Sequence, residues 1–266
     1  MQQWTIDDPR QLTFGPVRSL DVRIVSGRLA VLASDGPPVL EVTEIVGSPL
    51  IVTYDEEAGE LSVTYKDLTW DGMLSWLRKT RRHTVATLTV PKDCQVKAGV
   101  VSASAVIAGF ENLTSVKSAS GDVVLDGVSG EVSAGTVSGQ VESRAMVGDL
   151  SFTSVSGDLT VAHGMPRRLR ANSVSGRITA DLELRPTGHV TLTSVSGDIL
   201  VRLPEDVEAD VTIRSTSGRL VSTFEKLSNQ SLPGAKSLSG RLGGGMASLS
   251  ATTVSGEVAL LKGEKE

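Results

Sequence analysis

The sequence predicts an all-β fold: a parallel β-solenoid of the β-helix kind, with coils of about 16–22 residues, a β-rich N-terminal cap and one short helix. Three observations lead there. A motif built on Ser-Gly returns along most of the chain, apolar residues within each copy fall two apart, and the composition is rich in glycine and poor in rings. With 27 glycines and only 3% aromatic residues, the chain lacks the large side chains of a conventional core. A thin coil of strands is instead filled by Val, Leu, Ile and Ala.

Taken in order, residues 1–95 form the cap. "VRIVSGRLAV" at 22–31 has the strand, Ser-Gly, strand form, and "PLIVTYDEEAGELSVTYK" predicts a hairpin of 51–54 and 61–65 around an acidic turn. "KDLTWDGMLSWLRKTRRH" at 66–83 predicts a short amphipathic helix, because Trp70, Met73, Leu74 and Leu77 share one side at helical spacing. Gly72 weakens it as a free-standing helix. Arg78, Lys79, Arg81 and Arg82 follow in the last turn, where the helix dipole favours cations. "TVATLTVP" is a further strand.

Residues 96–262 form the solenoid. The marker glycines are Gly121, Gly130, Gly139, Gly148, Gly157, Gly176, Gly197, Gly218, Gly240 and Gly256, at spacings of 9, 9, 9, 9, 19, 21, 21, 22 and 16. The first four spacings add in pairs to 18, so one coil carries two strands, with the Gly corner in both strands early and in one strand later. Val155, Leu159 and Val161, and likewise Val195, Ile199, Val201 and Leu203, have the strand period with one buried face. Each coil covers the next, which is why the repeat is needed. Glycine serves either by a positive φ or by letting backbones approach, and the adjacent Ser bonds its own backbone or forms a ladder with the next coil. "KLSNQSLPGAK" at 226–236 reads as a loop thrown out of the coil and "LGGGM" as a flexible turn. Residues 263–266 are a charged tail shielding the last edge strand.

The repeated Ser-Gly-Asp invites a calcium reading, since nonapeptide β-coils hold that ion between turns. The residue after the marker Gly is, however, Arg at 177, 219 and 241, and a column that admits arginine cannot offer converging hard oxygens at every level. A carbohydrate-cleaving coil needs clustered carboxylates, yet acidic residues are scattered one per coil apart from "EDVEAD" at 205–210. His83, His163 and His189 lack metal-ligand spacing, and no nucleophile elbow or phosphate loop is present. Neither an enzyme nor a cofactor is expected. A lectin face is disfavoured because no Trp or Tyr follows Trp76. The lone Cys94 cannot form an internal disulfide and reads as a packed residue.

The net charge of −5 gives no reason to expect nucleic acid. No apolar run approaches a membrane span. "MQQWTIDDPRQLTF" has no basic region followed by an apolar stretch, so a secretory signal is not expected and the chain is expected in the cytoplasm, peripheral to the inner membrane. The candidate dock for a protein partner or an anionic membrane surface is Trp70, Trp76, Arg78, Lys79, Arg81 and Arg82; four of the ten basic residues before residue 95 lie within 78–82. Open coil ends also allow end-to-end pairing of copies.

"SGDV", "VSGEV", "TVSGQV" and "TSVSGDL", after a start ending in "TLTVPKD", resemble a bacterial family of β-strand-repeat proteins, the toastrack domain, also labelled adhesin-like. The resemblance is clear over 84–260 and loose before it. It implies a β-solenoid without catalytic residues, and members that occur with phage-shock-type or Lia-type envelope-stress proteins. Two functions follow as expectations: an interaction scaffold tied to envelope-stress signalling, or a surface adhesin-like repeat protein.

Overall fold

The computed structural model describes residues 1–65, 82–232 and 235–263. The chain is all-β, with no helix among the described residues. The expected helix at 66–83 lies outside them except for its last two positions, and there His83 already opens the strand His83–Val90. Strands alternate buried and open positions, as in Leu50–Asp55 and Ile178–Leu182. The apolar period of two thus sets which face is packed. Two compact units are present, Met1–Val124 and Leu125–Glu266.

In the first unit one ladder runs Gln2–Ile6, Leu50–Asp55, Glu60–Tyr65, Ser19–Ile24, Gln95–Val100, Thr114–Ser118. A second runs Arg10–Thr13, Val39–Val46, His83–Val90, Gly27–Ala33, Ser104–Ala108. The first two pairs of each ladder are antiparallel and the rest parallel. The predicted hairpin is present, with Val52 opposite Val63. Coil 19–33 lies between the strands Glu60–Tyr65 and His83–Val90 on one side and coil 95–108 on the other, although it precedes all of them in the chain. Trp4 meets Phe14 edge to face and Phe14 lies tilted against Tyr54, at centroid separations of 5.6 and 5.4 Å, so three of the chain's few rings cluster among its antiparallel strands.

In the second unit one ladder runs Ser129–Thr136, Val147–Ser154, the 168–173 half of Leu159–Ser173, His189–Ser194, Ala247–Thr253, Ala209–Ser215. The other runs Val141–Arg144, 159–162, Ile178–Leu182, Ile199–Pro204, Val258–Gly263, Leu220–Ser222. All these pairs are parallel. Coil 247–263 therefore sits between coils 189–204 and 209–222, out of chain order. This corrects two expectations. The strand Val258–Gly263 is interior to its ladder and not the terminal edge expected of it, and residues 264–266 of the expected tail lie outside the described residues. The predicted loop 226–236 instead supplies Ser228–Leu232, paired antiparallel with Ala235–Leu242. Its period was hidden because 228–230 are all exposed, and an outermost strand needs no alternating apolar face.

Candidate functional site

The repeated letters build one corner of the second unit, where the first ladder passes into the second. Read as [Ser/Thr]-x-Ser-Gly, the corner occurs at Gly139, Gly157, Gly176, Gly197, Gly218 and Gly256. The first Ser or Thr is buried. The N–H groups of Gly176, Gly197 and Gly218 each donate to that hydroxyl at 2.8 Å, and Gly139 and Gly256 use a Thr at 2.9 and 3.1 Å. At Gly157 the hydroxyl of Ser154 donates instead to the glycine carbonyl at 2.8 Å. This buried hydroxyl escaped the reading centred on Ser-Gly, although its signal, a Ser or Thr three residues before each corner glycine, stands in the sequence.

The second Ser is exposed and reaches the coil before it. Ser156, Ser175, Ser196 and Ser217 donate to the carbonyls of Val137, Val155, Val174 and Val254 at 3.1–3.2 Å. Ser255 reaches Val195 O at 3.5 Å. The glycine is required by close approach. A Cβ on Gly176 would overlap Gly157 O, one on Gly197 would overlap Gly176 O, and one on Gly218 would overlap Gly256 O. None of these three has a positive φ, whereas Gly130 (φ 85°) and Gly148 (φ 116°) do, and they lie within strands of the first ladder.

Between the two serines stands an outward residue. Val137, Val155, Val174, Val195 and Val254 are 47–53% exposed. The serine bonds order them 137, 155, 174, 195, 254, with Thr216 next. At one ladder step of about 4.8 Å each, the five form an apolar row about 19 Å long. After the glycine come polar residues, and among them the carboxylates of Asp158 and Asp198 accept the backbone N–H of Arg177 and Glu257 at 2.7 and 2.9 Å.

Of the residues expected to dock a partner, Trp70, Trp76, Arg78, Lys79 and Arg81 lie outside the described residues. Arg82 is engaged within its own unit. Its backbone carbonyl accepts the Ser26 hydroxyl, its Nε donates to Ser48 Oγ at 3.3 Å, and its guanidinium lies 5.3 Å from the Tyr65 ring centroid. Tyr65 is buried with its hydroxyl 2.7 Å from that of Thr84, and desolvation holds its phenol above the ordinary tyrosine range. Cys94 is buried, and desolvation pushes its thiol up to about 12, so it remains a neutral, unreactive thiol near neutral pH.

An open cavity of about 1120 Å³ lies at the opposite corner of the second unit, lined by Asp181, Glu183, Asp206, Glu208, Arg202, Lys262 and Met246 among others. Arg202 faces Asp181 at 3.7 Å and Lys262 binds Glu205 at 3.0 Å. No group of three or more His, Cys, Asp or Glu able to hold a metal occurs among the described residues. No described helix is long and apolar enough to cross a membrane.

The stacked Ser-Gly corners are matched by one sequence family over residues 48–261, the Toastrack DUF4097 family. The chain belongs to the Toastrack family. Solved structures similar to this Toastrack chain include a candidate adhesin from Bacteroides fragilis, at 10% identity and a TM-score of 0.46, covering 97% of both chains. Another is a candidate lipid-binding protein from Parabacteroides distasonis, at 13% identity and a TM-score of 0.45, covering 97% of this chain and 96% of the other. A candidate adhesin from the same species has 12% identity and a TM-score of 0.41, covering 98% and 97%. A comparison with the curated proteins gives no match.

Proposed function

We propose that this Toastrack protein is a non-catalytic interaction scaffold that presents the valine row of its second unit to a protein partner. The carrying observation is the row itself: five valines, each about half exposed, aligned on consecutive coils. Scattered exposed apolar residues are ordinary on a protein surface, whereas an aligned set marks an interaction surface. The hydroxyls beside the row are occupied by the neighbouring coil, so the row offers apolar contact more than hydrogen bonds. That partner belongs to envelope-stress signalling, and the protein works in the cytoplasm beside the inner membrane. The basic residues Arg78, Lys79 and Arg81 supply a second contact in that arrangement.

Thr216 occupies the valine position of its own corner, which makes Val→Thr a substitution the corner accommodates. The triple variant V155T/V174T/V195T is expected to keep its circular dichroism and urea midpoint while losing about tenfold or more of its partner in affinity capture from the native cell. Unchanged capture by the folded variant removes the row as the docking surface. Fractionation of the same cells checks the location. Cytosolic or inner-membrane recovery agrees with the scaffold, and recovery outside the cell moves the reading to a surface adhesin.

A further inference from the structure

Coil 247–263 is a wedge between two coils that are close neighbours in the chain. On one flank Val190 pairs with Leu249 and Leu192 with Ala251; on the other, Val211 and Ile213 pair with the same two residues. In the second ladder Val258 lies between Ile199 and Leu220. Leu249, Ala251, Val258 and Leu260 are at most 1% exposed. The wedge is joined to the preceding strand by Gly243, Gly244, Gly245 and Met246, with φ of 54° and 66° at Gly243 and Gly245. Three successive glycines can adopt the turned or the extended path at little steric cost. The ladders that hold the wedge are formed with its two flanks, so the same bonds form whichever molecule supplies it.

We propose that the slot between coils 189–204 and 209–222 accepts coil 247–263 from a second copy of this chain, giving a reciprocally swapped dimer through the triple-glycine hinge. The swapped and closed forms share the ladders and the buried face, and differ in the hinge path and in the entropy of association. Their ratio is therefore set by protein concentration during refolding and by hinge length.

The test uses two full-length variants in a C94A background, Thr191→Cys and Ser250→Cys. These positions are register partners across the slot and are only partly buried, and one ladder step of about 4.8 Å suits a disulfide. A chain carrying both is the control that the slot closes as described. Equal amounts of the two single variants are unfolded together in reductant, refolded at several protein concentrations and oxidised. The expected product is a covalent heterodimer linked 191 to 250 by peptide mapping, its fraction rising with concentration. Wild-type protein refolded alongside is expected to give a dimer peak by light scattering with the same trend. Deleting Gly243, Gly244 and Gly245 is expected to make the dimer the main folded species, because a shortened hinge hinders closure on the same chain. A mixture giving no 191–250 link at any concentration overturns the proposal, as does wild-type protein that refolds only to monomer.

Discussion

Gly176 shows why one letter of the repeat tolerates no substitute. It keeps a backbone conformation open to any residue, yet the carbonyl of Gly157 fills the place a methyl group would take. That carbonyl already accepts the buried Ser154 hydroxyl at 2.8 Å and cannot withdraw without giving up that bond. Gly176→Ala is therefore expected to destabilise the second unit by about 3 kcal/mol, the upper range for forcing a methyl into a packed site. Its urea midpoint checks this. A variant as stable as wild type means the coils separate more easily than the geometry implies. Gly127 is the contrast. Its φ is 56° and nothing lies within 4 Å of an added Cβ, so substitution there meets only backbone strain.

Neighbouring strands are also joined by charge. Arg167 donates to both carboxylate oxygens of Asp149, at 2.9 and 2.6 Å, with Arg168 3.8 Å away. The Arg167 hydrogen bonds hold the Asp149 carboxyl below its usual range, outweighing partial desolvation. Because the folded carboxyl titrates below its unfolded value, its stabilisation is present above an unfolded pKa of about 3.9 and is lost as pH falls through the folded value. Asp149→Asn should be less stable than wild type at neutral pH, with the gap closing in acid. A gap in urea midpoints that stays constant from pH 7 to acid would count against the ion pair. At this scale much was legible: the period of two gave the buried faces and the repeat gave the corner. Two elements misled for physical reasons. "SLSG" at 237–240 has the corner letters but lies within the antiparallel strand Ala235–Leu242, since a corner forms only where a stacked coil supplies the carbonyl. Ser228–Leu232 was hidden because its first three residues, Ser228, Asn229 and Gln230, are polar and exposed. The candidate site was half legible, because Ser-Gly was conspicuous while the valine row needed the stacking order to align it.

That order is what the sequence concealed. The step from Arg168 to His189 is 21 residues and joins stacked neighbours. The step from Thr191 to Thr212 is also 21 residues, yet both pair with Ser250 between them. Spacing alone cannot separate the two arrangements, and it also makes direct stacking of coil 209–222 on coil 189–204 register-compatible. A chain cut after Leu242 is expected to close the slot in that way. A Thr191→Cys/Thr212→Cys pair should then cross-link in the cut chain and not in the full one, where two ladder steps of about 9.6 Å exceed disulfide reach. Failure to cross-link in a folded, cut chain would mean the slot stays open. The two units also stand differently toward the ribosome. Coil 19–33 is synthesised before both of its flanks, so each can dock on a strand already made. Coil 247–263 is synthesised after both of its flanks, and the second unit must hold a gap, or a mispaired seam, until translation has passed residue 263. The first unit can assemble as it is made, and the second has to be repaired or completed once its last strand arrives.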